Sequence, residues 1–108
     1  MAPNSHFAAR IPQLAGTELL ILGFLLEGEQ FPLRLADRSG GSLKRGTVYI
    51  TLQRMQSKGY VESHLESPLP MAAGRPRRWY RPSAYGRQVF AAWQLAERAL
   101  DGAVAGVA

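Results

Sequence analysis

The sequence feature that most constrains the fold is the run KRGTVYITLQRMQSKGYVE at residues 44–62. On a helix, successive residues are about 100° apart, so Leu52, Met55 and Gly59 lie within about 40° of Val48 and form one apolar ridge. Glycine is favoured just past a helix C-terminus, and Gly59 is therefore expected to end the helix. The run predicts a helix with one buried side, a glycine stop and the start of a strand.

The remaining surface of this helix carries hydroxyl and cationic side chains. Thr47, Arg54 and Lys58 cluster on one flank of the ridge, and Thr51 lies at the boundary. Hydroxyl groups and cations bind phosphate oxygens, and arginine also binds base edges. This side suits DNA, although an ordinary amphipathic helix with a solvated polar side has the same pattern.

Two cations, Lys44 and Arg45, lie just before the helix. Positive charge is disfavoured at a helix N-terminus, where the helix dipole is itself positive. A basic turn at that place is easier to explain if the N-terminus binds a phosphate group. We therefore predict that both side chains contact phosphates.

The positive charge of the chain is concentrated in its central segment. The net charge is +5, and residues 44–81 hold eight Lys or Arg against two Glu. Residues 1–43 hold three cations against four acids, and residues 82–108 hold two of each. Solubility alone would not require this concentration, which is typical of a surface that binds a polyanion.

Composition excludes several other classes of protein. A chain of 108 residues, 46% hydrophobic and 19% charged, is expected to form one globular domain. It has no cysteine, which excludes a disulfide framework, a thiolate zinc site and a cysteine nucleophile. The longest apolar run, residues 19–26, is too short to span a bilayer, and no signal-peptide pattern is present. We expect a cytoplasmic protein that does not contact the membrane.

The order of elements predicts a winged helix-turn-helix. After a flexible segment at residues 1–15, Thr17 is expected to cap a largely apolar helix that ends near Gly28. Proline in a first turn favours a second helix from Pro32, and residues 39–41 (SGG) end it before the basic helix. Together with the wing described next, these helices form a predicted domain at residues 16–82.

The segment after the basic helix predicts a two-stranded antiparallel wing. Residues 60–66 and 77–81 read as strands, joined by a turn-rich loop at residues 67–75 and stopped by Pro82. An extended Arg-Pro-Arg at residues 75–77 is physically suited to a narrow A·T minor groove. The fold class is therefore mainly α with a small β wing (α+β).

A last helix is predicted at residues 83–101, capped by Ser83, with a tail at 102–108 that frays. A winged helix of this size does not need a further long helix, so we expect its apolar side to pack on the first helix of a second copy, as a two-fold dimer. The predicted interface consists of Leu19, Leu22, Tyr85, Val89, Trp93, Ala96 and Leu100.

Other functions have weaker support. His6 and His64 have no nearby residues with metal-ligand spacing, so we expect no metal, no cofactor and no enzymatic activity. We expect His64 to lie on a solvated face. A winged helix that binds protein instead of DNA is the serious alternative, although its third helix and wing would more often be neutral or acidic. RNA binding is disfavoured because the strand aromatics lie beside apolar, core-like positions.

Several blocks of residues together are similar to the PadR-type transcriptional regulators, a bacterial and archaeal family of winged-helix repressors. The resemblance extends from residue 17 to residue 100. It rests on residues 17–26, 46–49, 52–55, 58–63, 74–81 and 86–87. The family commonly shows Pro-Gly-Thr-Leu-Tyr, Leu-x-Arg-Leu, Lys-Gly-Leu and a Gly-Arg-x-Arg-x-Tyr-Tyr wing in the same order.

The resemblance implies a dimer on a palindromic operator, with the third helix in the major groove and the wing on the flanking minor groove or backbone. It also implies repression that a small aromatic or drug-like ligand relieves in some members. The predicted partners are double-stranded DNA, a second copy and such an effector. The predicted DNA contacts are Lys44, Arg45, Thr47, Tyr49, Thr51, Arg54, Lys58, Arg75, Arg77 and Arg78.

The chain departs from the family pattern at three places. Arg45 replaces the usual proline, residues 31–33 (FPL) replace a common His-Gly-Tyr, and the chain is expected to belong with the short members, which lack a separate C-terminal helical domain. The last departure bears on a ligand site, because ligand pockets in the family lie near the dimer interface or between the two regions. In drug-responsive short members a tryptophan on the last helix lines a pore at the dimer interface, and Trp93 lies on a comparable face about one turn nearer the wing. The alternative is that Trp93 only packs the dimer core.

Overall fold

The computed structural model describes residues 14–66 and 76–107, with the side chains of residues 14–66 and 76–102. The expectations for the first thirteen residues, for the loop at 67–75 and for Arg75 lie outside this part of the chain. The described residues form α1 (Gly16–Leu26), α2 (Pro32–Arg38), α3 (Arg45–Ser57), β1 (Val61–Leu65), β2 (Arg78–Pro82) and α4 (Ala84–Val107). The predicted class, mainly α with a two-stranded antiparallel wing, is confirmed.

The core forms around the predicted apolar ridge of α3. Val48, Leu52 and Met55 are fully buried. They pack with apolar residues of α1, α2, the turn before α3 and the wing, which are Ile21, Leu22, Leu25, Leu35, Leu43, Val61 and Tyr80. Each large apolar side chain removed from water in this way contributes roughly 1.5–3 kcal/mol.

Gly59 terminates α3, as predicted: the helix ends at Ser57 with Lys58 as its C-cap, and Gly59 follows. Gly59 has a φ of 82°, which a residue with a side chain adopts only with strain. The Gly59 amide donates to the carbonyl oxygen of Gln56 at 3.0 Å, and the Tyr60 amide donates to that of Met55 at 2.8 Å. This pair of bonds is a Schellman motif, which satisfies the last carbonyl groups of the helix and turns the chain into β1.

The turn between α2 and α3 is held by Ser39. Its hydroxyl donates to the carbonyl oxygen of Ala36 at 2.7 Å and accepts from the Leu43 amide at 3.0 Å. Leu43 is buried in the core. The turn is therefore anchored at both ends, which fixes the start of α3 relative to α2.

The start of α1 differs from the prediction. The helix begins at Gly16 with Ala15 as its N-cap, so Thr17 lies inside the first turn and is not the cap. The capping acceptor is the carboxylate of Glu18, whose Oε1 accepts from the Ala15 amide at 3.0 Å. Glu18 is only 4% exposed. Its charge is met by Lys58 at the end of α3, with 2.9 Å between Nζ and Oε2.

The ion pair between Glu18 and Lys58 is expected to stabilise the fold. Replacing Lys58 with methionine leaves the Glu18 carboxylate buried without its cation, and we expect a loss of about 1–2 kcal/mol; the estimate is modest because the Lys58 side chain is 45% exposed. Urea denaturation measures the change. Adding Glu18→Gln removes the unpaired charge and should restore part of the stability. If the double variant is the sum of the two single variants, the pair does not couple α1 to α3.

The wing is tied to the helices by a bridge that the sequence pattern does not predict. β1 and β2 pair antiparallel with Ser63 opposite Tyr80. On its other edge, Tyr80 exchanges two backbone hydrogen bonds with Gln30, at 2.8 and 3.2 Å. Because Gln30 lies between α1 and α2, this bridge fixes the wing relative to the helix pair.

The last helix begins as predicted and ends later than predicted. Ser83 Oγ accepts from the Gly86 amide at 2.9 Å, which is the predicted cap, and its hydroxyl donates to the carbonyl oxygen of Gly59. The helix continues to Val107, beyond the expected end near residue 101. The sequence has no proline after Pro82, so the backbone hydrogen bonding continues without interruption.

Two of the residues predicted for a dimer interface lie in the core of their own chain. Leu22 is fully buried and Val89 is 3% exposed, so neither is available to a second copy. Both were assigned wrongly because the sequence does not reveal that α4 folds back onto α1. No helix within residues 14–66 or 76–107 combines the length and apolarity that crossing a bilayer requires.

Candidate nucleic-acid interface

The outward direction of α3 follows from its buried residues. Val48, Leu52 and Met55 point into the core. At 100° per residue, the positions most nearly opposite to them are Gly46, Ile50, Gln53 and Ser57, and all four are exposed. We call these four residues the outer line of α3.

The DNA-contacting side predicted from the sequence lies on one flank of this helix and leaves out most of the outer line. Ile50, Gln53 and Ser57 were absent from the predicted contacts. The sequence carried the signal, because these three positions lie about 140–180° from Val48. The flank was predicted to contact DNA instead, because its side chains are hydroxyls and cations.

Thr51 does not belong to the interface. Its residue is 6% exposed, because its position on the helix is only about 60° from Val48 and faces the core. The prediction that it contacts DNA is therefore wrong. Thr47 and Tyr49, which were predicted as backbone contacts, are exposed on opposite sides of the outer line.

Lys58 is directed towards α1. Its ammonium nitrogen lies 3.1 and 2.9 Å from the two carboxylate oxygens of Glu18. In this arrangement the cation stabilises the C-terminus of α3. We therefore move Lys58 from the predicted DNA contacts to the residues that hold the helix in position.

Three other cations of α3 and its leading turn, Lys44, Arg45 and Arg54, are exposed. Within the described residues none of them is paired with a carboxylate, and Lys44 caps the helix without a side-chain hydrogen bond. Carboxylates elsewhere do pair with cations: Glu27 with Arg38, Glu18 with Lys58, and Glu62 with Arg81. The positive charge at α3 is left unneutralised.

The wing adds two further exposed arginines. The Arg77 guanidinium lies 4.6 Å above the ring of Phe31, which in turn makes an edge contact with Trp79 at 5.2 Å. Arg78 donates from Nη1 to the hydroxyl of Ser63 across the strand pair at 3.0 Å. These contacts orient both guanidinium groups without neutralising them. Arg75, which was predicted with them, lies outside the described residues.

A cleft of about 490 Å³ connects the wing to α3. Tyr49 of α3 and Tyr80 of β2 line it, and burial raises the pKa of the Tyr80 hydroxyl above its ordinary value of 10.0, so that this group is neutral at physiological pH. The remaining lining residues are Phe31, Pro32, Leu33, Pro76, Arg77 and Arg78. The cleft therefore lies between Tyr49 of α3 and the wing arginines Arg77 and Arg78. We call the exposed cations of α3, of its leading turn and of the wing together the cationic surface.

His64 lies on β1 opposite Trp79 and is not among the residues that line the cleft. It is exposed, and its Nε2 is 3.2 Å from a carboxylate oxygen of Glu29. Arg81 also approaches Glu29, at 3.8 Å. The part of the chain with a described structure contains no group of three His, Cys, Asp or Glu residues that could hold a metal ion.

Substitution of Gly46 is expected to weaken DNA binding without lowering the stability of the fold. A Cβ at this position would meet nothing within 4 Å, so the fold does not require glycine there. We expect Gly46→Ala to leave the free energy of unfolding unchanged or to raise it by up to about 1 kcal/mol. If the helix N-terminus closely approaches a duplex, the added methyl group should weaken DNA binding about tenfold, as measured by fluorescence anisotropy. Unchanged binding would show that no DNA atom approaches Gly46.

Comparison with known proteins agrees with the fold. A family model described as "Transcriptional regulator PadR-like family" matches residues 25–92, which is more than half of the chain. No curated protein matches the sequence.

Three solved structures have the same fold. A PadR family transcription regulator from Clostridium difficile R20291 superposes with a TM-score of 0.68 at 22% identity, over 82% of this chain and 94% of that one. A PadR family regulator from Eggerthella lenta DSM 2243 gives 0.66 at 22% identity, over 82% and 78%. Bacillus subtilis PadR in complex with operator DNA gives 0.67 at 17% identity, over 76% of this chain and 48% of that one. This chain thus spans about half the length of the B. subtilis protein.

The family match covers α2, α3, both strands and the first part of α4, which are the elements that build the cationic surface. The structural neighbours place the same elements in the same order. The chain belongs to the PadR-like family of transcriptional regulators.

Proposed function

We propose that this protein is a sequence-specific DNA-binding transcriptional regulator that represses transcription as a homodimer on a palindromic operator. The observation that carries the proposal is the set of exposed cations on α3, its leading turn and the wing that have no carboxylate partner among the described residues. They are Lys44, Arg45, Arg54, Arg77 and Arg78.

The shape of this surface suits B-DNA. The major groove is about 12 Å wide and admits one α-helix. With the outer line of α3 in the groove, Lys44 and Arg45 lie at the helix N-terminus, where backbone amides also favour a phosphate. The wing arginines then lie beside the groove, where a cationic hairpin contacts the backbone or the flanking minor groove. The B. subtilis relative of the same fold is in complex with operator DNA, which supports double-stranded DNA as the partner.

The proposed dimer uses the far half of α4. Beyond Trp93 the apolar side of this helix extends past its own domain, and Leu100 on that side is 66% exposed. Leu20 on α1 is also exposed, beside the half-buried Leu19. We propose that α4 of each copy covers α1 of the other. Tyr85, which packs on Tyr60 of its own chain, lies at the near end of this surface.

Relief of repression by a flat aromatic ligand is the finer part of the proposal. Trp93 packs, partly buried, against the core of its own chain, beside the proposed dimer surface. Binding of a planar dye there should quench tryptophan fluorescence, and Trp93→Phe should remove that change while Trp79 remains as an internal reference. Equal quenching in the variant would place the dye elsewhere.

Selection from a pool of random duplexes tests the proposed function. We expect the enriched sites to contain two inverted half-sites whose centres lie about 34 Å apart, or a multiple of this, because each copy inserts one helix in the major groove on the same side of the duplex. Enrichment of a single half-site would contradict the dimer. A failure to enrich any sequence would contradict sequence-specific binding and favour a protein-interaction module.

A further inference from the structure

We propose that Ile50 and Gln53 read two neighbouring A·T base pairs of the operator, Ile50 by contact with a thymine methyl group and Gln53 by paired hydrogen bonds with adenine. This assignment rests on the proposed function, because it requires α3 to lie in the major groove. It concerns two residues that were not among the predicted DNA contacts, and Gln53 occupies the variable position of the Leu-x-Arg-Leu block.

The geometry of α3 places these two side chains closest to the floor of a groove. The helix buries Val48, Leu52 and Met55, and the outer line points the opposite way. Arg54 lies about 120° from Val48, at the opposite edge of this face from Gln53, where a cation can reach the phosphates. Of the outer line, Gly46 has no side chain and the side chain of Ser57 is short, so Ile50 and Gln53 reach furthest towards the bases.

Ile50 is the apolar member of the outer line and is 53% exposed. It has no part in the hydrophobic core of the domain. The one apolar group that the base pairs present in the major groove is the C5 methyl of thymine. When the helix lies in the groove, an isoleucine at the centre of this face buries its exposed apolar surface against such a methyl group.

Gln53 has the complementary polar chemistry. A carboxamide carries a donor and an acceptor, which match N7 and N6 of adenine in one plane. Among the described residues Gln53 makes no side-chain hydrogen bond, so both of its groups are available. Gln56 of the same helix differs, because its Oε1 accepts from the hydroxyl of Ser63 at 3.1 Å. Gln56 is therefore a matched control.

The spacing of the two residues sets the spacing of the bases. Positions 50 and 53 are separated by about 4.5 Å along the helix axis. A base-pair step is about 3.4 Å, so adjacent base pairs are the nearest fit. We therefore expect an adjacent pair of A·T base pairs in each half-site.

The test begins with selection by the wild-type protein and by Ile50→Ala, Gln53→Ala and Gln56→Ala. On the best wild-type site, deoxyuridine then replaces each thymidine, which removes the methyl group, and 7-deazaadenine replaces each adenine, which removes N7. We expect one deoxyuridine position in each half-site to weaken wild-type binding about fourfold and to have no further effect on Ile50→Ala. We expect Gln53→Ala to bind this site about 10- to 100-fold more weakly and to be insensitive to one 7-deazaadenine. Gln56→Ala should behave as the wild type.

The outcomes separate the inference from the function on which it rests. If the wild type selects a site and both variants select the same site with the same response to modified bases, the readout by Ile50 and Gln53 is refuted and the proposed function stands. If the wild type selects nothing, the proposed function fails, and the readout fails with it. Thermal unfolding of each variant checks that these exposed substitutions leave the fold intact.

Discussion

Replacing Gly86 with alanine is expected to destabilise the protein by about 3 kcal/mol or more. Gly86 lies in the first turn of α4, where the helix crosses the backbone of Tyr60. A Cβ there would overlap the carbonyl oxygen of Tyr60 and lie 2.9 Å from its carbonyl carbon. Because the obstacle is backbone, no rotamer change relieves it. The helix would have to move away from the end of α3, and the contact of Ser83 with Gly59 would be disturbed.

Urea denaturation measures this loss, and Gly102→Ala is the matched control. Gly102 lies in the same helix, and a Cβ at that position would meet nothing within 4 Å. The control substitution should stabilise the helix slightly, by up to about 1 kcal/mol. If the two substitutions have equal effects, α4 does not cross Tyr60 as closely as described.

The second large effect is expected on DNA binding, from the double substitution Arg77→Ala and Arg78→Ala. A dimer has two wings, so the change removes up to four phosphate contacts. The slope of log K against log salt should fall by about 3 to 4 units, since each neutralised phosphate contributes about 0.9. At moderate salt the affinity should fall by roughly 10²- to 10³-fold. Fluorescence anisotropy over a salt series measures both quantities.

The matched control is Arg87→Ala and Arg98→Ala on α4, which removes the same charge from exposed positions outside the cationic surface. Here we expect a small change in affinity and an almost unchanged slope. A similar loss in both double variants would mean that net charge, and not the position of the wing arginines, determines binding. Urea denaturation should accompany both variants, because Arg77 packs on Phe31 and Arg78 bonds to Ser63.

Much of the fold could be predicted from local patterns. The ridge at Val48, Leu52 and Met55, the glycine stop at Gly59 and the cap at Ser83 each depend on residues close in the chain. Local rules therefore suffice for them. The wing strands followed in the same way from composition and turn residues.

The errors arose where distant segments meet. Glu18 caps α1 while it pairs with Lys58, 40 residues further along the chain, and no local pattern distinguishes that lysine from a DNA contact. Leu22 and Val89 are both apolar on helices, and only the packing of α4 on α1 decides that they meet within one chain. The bridge between Gln30 and Tyr80 is likewise set by tertiary structure.

The sequence points to the cations of the candidate surface but not to the outer line of α3. Lys44 and Arg45 stand out because cations are disfavoured at a helix N-terminus, and Arg54 stands out because arginine binds phosphates and base edges. Gln53 and Ile50 do not stand out, because an exposed glutamine or isoleucine is common. Their position becomes informative only when the buried side of α3 is known.

The most direct test of DNA binding through this surface is a salt series by fluorescence anisotropy. The protein is titrated onto duplex DNA from upstream of its own gene and onto a scrambled duplex of the same length. We expect tight binding to the upstream duplex, weak binding to the scrambled one, and a steep fall of affinity with salt. No binding to either duplex at low salt would contradict DNA binding through this surface.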